Sequence, residues 1–519
     1  MDCIRLMADA FHHYPHHNKP TKEHDPMAHI TIKDRPCGWG KSTEITESYR
    51  AGEKYITVVP FLSEADRIAG RAKTQSGFTL LQPNTTGGNK TDHAAEIVRA
   101  GGSIVCTHAL LYRLGTLATD ETDETSTVTC AGFDIDVPLG KSLLHDHHLI
   151  IDEVVNPFEV ESGTQPRDFA RDYVENGMAT VDPITGKAEP TIKWDERFRE
   201  GGKTFRPALY EQAKSGALYV VDSKLFVMTI PMELLLKPKS VTIYTYLSEG
   251  TMLLQFLRQL QTQLNDTPQA FTLEVDKLPA DQERAWIDDV RSALTVKSIP
   301  ALEAFSWSYS GQRSTFTGNN AAASCRKAGN ALKKFYAANL ANMNKGNVLL
   351  TCARELWYDS APKKKPASGP LAEHARLFGH PCRTDDGKSK AGVWGTNGVR
   401  WIGNTTRGVN DYITCTHAIY LYDQNPRPEL LHFLSMPGNS QSGRDFSDAY
   451  ALSEMVQWLF RCCIRRGGVN GIAPMETLRQ RATVYIPSKR MRYLLINWLN
   501  TGKVYSGRSD WTDAAAAAA

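Results

Sequence analysis

The stretch Arg35-Pro36-Cys37-Gly38-Trp39-Gly40-Lys41-Ser42-Thr43 decides how the rest of the chain is read. It follows a strand-like run at 29–33 and opens a segment with helical patterning. Glycine has no Cβ, so Gly38 and Gly40 let backbone amides close around phosphate oxygens. A helix starting just after them adds the positive end of its dipole. In that context Lys41 is expected to reach the β and γ phosphates of ATP. The Ser42 hydroxyl would hold Mg²⁺, and Thr43 completes the nucleotide-binding set. The competing reading is a glycine-rich turn carrying a surface lysine. Trp39 inside the loop would either stack on nucleotide or pack internally.

Downstream, His148-Leu149-Ile150-Ile151-Asp152-Glu153 is an apolar strand that ends in two carboxylates. Asp152 can hold Mg²⁺ beside Ser42, and Glu153 can orient or deprotonate an attacking water. Taken alone, the stretch reads as a strand ending in ordinary surface acids. The phosphate loop upstream favours the paired reading, because ligand sites in parallel sheets form beyond the carboxyl ends of strands.

The 519 residues are 41% hydrophobic and 23% charged, which predicts two or three domains with real cores and excludes a wholly disordered chain. No apolar run approaches the roughly 18 residues needed to span a bilayer. The His-rich N-terminus lacks the apolar core of a signal peptide. A soluble, cytoplasmic protein with no membrane partner is expected. The ten cysteines are scattered without a Cys-x-x-Cys pair, which speaks against a disulfide scaffold and for a reducing compartment. Cys462 and Cys463 lie in a helical pattern and read as packing residues. Residues 321–519 carry 27 Lys and Arg against 14 Asp and Glu, a basic excess that would suit a polyanion partner.

Residues 1–28 read as a disordered arm, with His12, His13, His16, His17 and His24 but no fixed metal geometry. A first domain over 29–265 alternates helical patterns with strand candidates at 29–33, 55–60, 103–107, 149–152 and 241–247. That alternation predicts an α/β fold with a parallel sheet. Within it, 118–129 reads as an acidic surface loop, 161–217 as a polar insertion, and 218–230 as a hairpin around Asp222-Ser223. Residues 266–345 read as a connecting segment. A second α/β unit over 346–513 has strand candidates at 347–352, 398–402, 418–422 and 482–486, and a basic loop at 361–370. The alanine run at 514–519 is a low-complexity tail.

Near the end of the second unit stands Gln457-Trp458-Leu459-Phe460-Arg461-Cys462-Cys463-Ile464-Arg465-Arg466. On a helix, Arg461 and Arg465 share one face. Either would serve as an arginine finger toward a γ-phosphate, Arg465 first and Arg461 second, a device that contributes about 10³–10⁵ in rate. The plainer alternative is a solvated basic helix face.

On these residues the chain resembles superfamily-two helicases and ATPases of the DEAD-like kind, often encoded by phages and other mobile elements. Pro36–Ser42 corresponds to motif I, and Arg35 in place of the first glycine fits the shorter loop typical of helicases. Residues 58–64 resemble motif Ia, and 105–108 the next strand-end motif. Asp152-Glu153-Val154-Val155 resembles motif II, with Val155 where Asp or His is common. Thr245-Tyr246-Leu247-Ser248 stands at motif III without the usual Ser-Ala-Thr. Thr405-Thr406-Arg407-Gly408-Val409-Asn410-Asp411 resembles motif V, with Asn410 for the common Asp. The run from Gln457 resembles motif VI, with Phe460 for Gly and the second arginine at four residues rather than three. The resemblance spans roughly residues 30–500. It implies two tandem RecA-like domains, each a mostly parallel sheet flanked by helices, with ATP and Mg²⁺ in the cleft between them. It also implies Gln457 and Gly408 as nucleotide contacts, and Thr107, Thr405 and Thr406 as contacts to a nucleic-acid backbone, DNA before RNA. The implied activity is that of an ATP-dependent helicase or translocase, in the host cytoplasm if the gene is phage-borne. Two alternatives stay open. One is a double-stranded DNA translocase of packaging or restriction type without strand separation. The other is a nucleotide-regulated binding protein with weak ATPase activity.

Overall fold

The computed structural model describes residues 28–85, 89–119, 125–130, 133–138, 142–161, 163–183, 186–200, 206–214, 216–221, 224–228, 230, 232–265, 270–317, 321–359, 367–379, 381–383, 389–394, 398–406, 411–434, 436, 440–465 and 480–504. The chain divides into two compact units. The first holds residues up to Asp34, Lys41–Thr245 and Met252–Asp276; the second holds Arg35–Gly40, Tyr246–Thr251 and everything from Lys277 on.

The first unit is built on β1 (Ala28–Asp34), α1 (Lys41–Ser48), β2 (Lys54–Val59), α2 (Leu62–Ser76), α3 (Lys90–Arg99), β3 (Ile104–Thr107), β4 (His147–Asp152), β5 (Ser240–Thr245), α4 (Met252–Leu264) and β6 (Phe271–Lys277). Its six strands run in the order β6-β1-β5-β4-β2-β3. The pairs β1/β5, β5/β4, β4/β2 and β2/β3 are parallel. Runs such as KYITVV and SVTIYT suit a sheet covered on both faces, and Ile30, Ile32, Val58, Ile151 and Ile243 are buried within it. Helix α2 covers one face with Ala65, Ile68 and Ala72.

Between β4 and β5 the chain builds a subdomain with its own core. Strands Phe158–Val160, Leu218–Val221 and Lys224–Met228 form an antiparallel sheet. Phe169, Tyr173, Trp194 and Tyr210 pack together beside it. The residues read as a polar insertion therefore carry helices and a buried aromatic cluster. Their apolar residues are spaced across short elements, which hides the periodicity. The hairpin at 218–230 forms as expected, with its turn residues 222 and 223 outside the described residues. The expected acidic loop is shorter than read, because Thr125–Cys130 pairs antiparallel with Phe133–Pro138.

The second unit contains α5 (Ala280–Ala293), β7 (Leu294–Lys297), α6 (Ala321–Asn339), β8 (Val348–Thr351), β9 (Arg400–Trp401), β10 (His417–Tyr420), α7 (Gln441–Leu459), β11 (Ala482–Tyr485) and α8 (Lys489–Thr501). Its sheet runs β7-β11-β10-β8-β9, parallel throughout. Alternate residues of each strand serve opposite faces. Leu349, Ala418, Tyr420 and Val484 join the core under α5, α7 and α8, while Val348, Leu350, Ile419 and Tyr485 join the core under α6. The fold is thus the expected pair of mostly parallel sheets flanked by helices. The residues read as a connecting segment give an edge strand to each sheet, β6 to one and β7 to the other.

The core under α7 is held by aromatic rings. Trp286 stacks on Phe460 at 5.1 Å and meets Tyr246 edge-on at 5.2 Å. Cys37 and Trp39 pack against the same cluster, so Trp39 takes the internal of its two readings. Cys462 and Cys463 are buried there as packing residues, although α7 has already ended at Leu459. Because Phe460 is fully buried, Phe460→Ala is expected to cost ~3–5 kcal/mol of stability. Urea denaturation of the full chain measures it, and a loss below about 1 kcal/mol would contradict the packing described.

Candidate functional site

Three strands of the first sheet end side by side. Asp34 pairs with Thr245, and Tyr244 pairs with Asp152, so the chain leaves β1, β5 and β4 at one edge. After β1, the Trp39 amide closes a turn on the Pro36 carbonyl at 3.2 Å. Gly38 and Gly40 follow the left-handed path, with φ of 82° and 95°. A Cβ on Gly40 would meet no atom within 4 Å, so conformation rather than space requires glycine there. Helix α1 then opens at Lys41, as the loop reading requires. Thr43 sits in its first turn, with its carbonyl accepting from Thr46 Oγ1 at 2.9 Å.

Asp152 ends β4 only 6% exposed. Burial pushes its carboxyl up to about 6, with Glu153 and Glu64 adding to the rise, while Lys41 and Arg67 pull it down. Lys41 therefore acts electrostatically on Asp152, which places the expected phosphate-binding lysine and the expected metal ligand in one field. Glu153 has φ of 66°, a left-handed conformation that costs a side-chain-bearing residue about 1–2 kcal/mol. Such strain concentrates at functional sites. The turn is anchored by His108 Nε2, which donates to the Asp152 carbonyl at 3.0 Å. Thr107, immediately before it, is half-buried at the end of β3. The Thr245 hydroxyl is buried at the same edge and has no hydrogen-bond partner among the described residues.

Ser42 Oγ accepts from Arg67 Nη2 at 2.9 Å. Arg67 Nε donates in turn to Glu64 Oε2 at 3.0 Å. The sequence names Glu64, His108 and Thr245 only within motif-like stretches and gives no role to this pair. Its only local signal is an acid and an arginine three residues apart at the start of α2, directly after a strand end.

The structure thus brings Lys41, Ser42, Asp152 and Glu153 together in the first unit. Thr43 and Thr107 belong to the same unit, and the candidates from Thr405 on belong to the second. Gln457 is buried, and its Nε2 donates to the Tyr246 carbonyl at 3.3 Å and to Ser453 Oγ at 3.2 Å. Arg461 and Arg465 do not share a helix face. Beyond Leu459 the chain closes tight turns, with the Arg461 amide on the Trp458 carbonyl at 3.0 Å and the Arg465 amide on the Cys462 carbonyl at 3.3 Å. The apolar run around Cys462 and Cys463 folds into the core here instead of continuing the helix. Arg461 is 4% exposed, and Arg465 is half-buried. Thr405 is exposed and Thr406 half-buried in the turn after β9, where the Thr406 amide bonds the Gly403 carbonyl at 3.1 Å. Gly408 lies outside the described residues.

Comparison with known proteins gives similarity along nearly the whole chain. Residues 293–499 match the family described as the YonV C-terminal Rossmann-like domain. The SPbeta prophage-derived protein YonV of Bacillus subtilis (strain 168) is 22% identical over 495 residues, covering 91% of this chain and 99% of YonV. Among solved structures, an apo XPD is 12% identical, with a TM-score of 0.45 over 91% of this chain and 95% of its own. Xpd4 of S. tokodaii is 11% identical, with a TM-score of 0.41 over 91% and 94%. S. cerevisiae Dbp5 bound to RNA and ADP BeF3 is 11% identical, with a TM-score of 0.35 over 97% and 89%.

The buried carboxyl of Asp152 makes stability depend on pH. The folded chain keeps a proton there up to about pH 6, the unfolded chain only to about the ordinary 3.8. Stability therefore falls as pH rises between those values, and above them the buried charge is carried in full. Asp152→Asn is expected to stabilise the metal-free, nucleotide-free protein at pH 7.5 by ~1–3 kcal/mol, with the gain shrinking toward pH 4. Denaturant titrations in a chelator at the two pH values measure it. An equal or lower stability of the variant at pH 7.5 would refute the assignment.

Proposed function

We propose that this protein is an ATP-dependent nucleic-acid motor, a helicase or translocase. The observation that carries the reading is the grouping of Lys41, Ser42, Asp152 and Glu153 at the carboxyl edge of one parallel sheet, beside a left-handed glycine loop. Lys41 binds the β and γ phosphates. Ser42 and Asp152 hold Mg²⁺, for which an oxygen-only donor pair is suited; when bound, the ion neutralises charge on the phosphates. Glu153 accepts a proton from the attacking water. Arg465 serves as the finger. Its greater exposure favours it over the buried Arg461.

Tyr246 follows β5 directly and belongs to the second unit. Tyr244 is the sheet partner of Asp152, and two residues later the Tyr246 carbonyl accepts from Gln457 on α7. Thr107, Thr405 and Thr406 bind nucleic-acid backbone, in contacts that are sequence-independent and weakened by salt. The basic excess after residue 320 suits that partner. DNA is put before RNA as the partner, and the prophage origin of YonV fits action in a bacterial cytoplasm.

ATP turnover with single- and double-stranded DNA and RNA tests the reading, and a duplex-unwinding assay separates helicase from translocase. Stimulation by nucleic acid is expected, strongest with DNA. Lys41→Ala is expected to abolish turnover with the fold intact, and normal turnover in that variant would discard the site. Arg465→Ala is expected to lower turnover by about 10³ or more while leaving nucleotide affinity nearly unchanged. If it alters neither quantity and Arg461→Ala does, the finger is Arg461.

A further inference from the structure

The hydroxyl of Ser42 already has a cation on it. Arg67 Nη2 donates to Ser42 Oγ at 2.9 Å. The same guanidinium donates to Glu64 Oε2 through Nε at 3.0 Å and again through Nη2. Glu64 and Arg67 stand three residues apart on α2, where helix geometry sets side chains next to each other. The pair is sheltered, with the Glu64 side chain 13% and the Arg67 side chain 30% exposed. Both side chains also act electrostatically on Asp152. One arginine thus touches the first expected metal ligand and lies within the field of the second. Arg71, a turn further along α2, adds a second positive charge that acts on this pair.

An arginine keeps its charge at any working pH. Without the arginine, Glu64 and Glu153 would bear on Asp152 with Lys41 as the counter-charge. A guanidinium on Ser42 relieves that repulsion. It also occupies a hydroxyl lone pair that a metal would use.

We infer that Arg67 is an internal counter-cation of the metal position, which holds Ser42 in the nucleotide-free protein and must leave it before a divalent ion can bind. The inference rests on the reading of Ser42 and Asp152 as metal ligands. Arg67 has somewhere to go, since Glu64 remains its partner when the bond to Ser42 breaks. Two consequences follow. The nucleotide-free protein binds free divalent ions weakly. The metal enters together with the nucleotide, whose phosphates bring the negative charge that offsets the loss of the Arg67–Ser42 bond.

The test uses the full chain and Mn²⁺, followed by its electron paramagnetic resonance signal, without nucleotide. Arg67→Met removes the charge and keeps the bulk of the stem. It is expected to tighten Mn²⁺ binding about tenfold or more, the weight of one charge-assisted hydrogen bond. Adding Ser42→Ala should abolish the gain. If the methionine variant fails to fold, as judged by its thermal melt, Arg67→Gln is measured in its place with the same expectation. Mn²⁺ affinity at or below the wild-type value in a folded variant would overturn the inference. Binding of a fluorescent ATP analogue in Mg²⁺ is measured alongside. Wild-type binding of the analogue without the Mn²⁺ gain removes the inference alone. Absence of analogue binding by the wild type removes the functional reading, and the inference with it.

Discussion

Parallel pairing of β1, β5 and β4 governs the chemistry of the first unit. Parallel neighbours leave a sheet at the same edge, so the turns after Asp34, Thr245 and Asp152 are brought side by side however far apart they lie in sequence. Register then sets their depth. The pairing of Tyr244 with Asp152 puts the end of β4 one residue short of the end of β5. The long excursion between β4 and β5 does not disturb this arrangement, because it packs around its own aromatic core of Phe169, Tyr173, Trp194 and Tyr210.

The edge so formed is costly to the resting protein. Asp152 is buried with its ionised form disfavoured, and Glu153 sits in a conformation that side chains avoid. The His108 bond to the Asp152 carbonyl returns about 1 kcal/mol, comparable to the strain next door. Glu153 and Glu64 raise the Asp152 carboxyl further, and Lys41 and Arg67 offset that only in part. A site built for stability alone would place an amide at 152. A buried carboxylate beside a strained glutamate is the kind of stability cost that proteins keep where function asks for it.

Much of this was legible in the residues. Strands β1 to β5 announce themselves as short β-branched runs, and the phosphate loop and the Asp152-Glu153 pair each rest on a few adjacent positions. The edge strands were harder. β7 is four residues long, polar at alternate positions and joined directly to α5, so no turn marks its start. β6 reads as FTLEVDK, with little to bury on an outer strand. The arginines after Leu459 misled for a different reason. Their spacing fits a helix, but the preceding Phe460 and the following cysteines are claimed by the core, and tertiary packing overrides local pattern. Arg67 was invisible because nothing in its neighbourhood says where a long side chain ends. Its target, Ser42, is 25 residues away.

Positions 246 and 460, where the chain departs from the pattern it resembles, look unrelated in the sequence. In the folded chain they are one packing solution. Tyr246 stands where a small polar motif is usual and Phe460 where glycine is usual, and both rings meet on Trp286. The backbone completes the joint. Gln457 and Ser453 both donate to the Tyr246 carbonyl, and the following turn approaches α7 so closely that a Cβ on Gly250 would lie 2.3 Å from the Ala449 carbonyl oxygen. The segment after β5 is therefore locked to α7 by ring stacking and main-chain contact. Apolar packing of this kind is stiff and insensitive to salt. Glycine at 460 would take away the ring that stacks on Trp286.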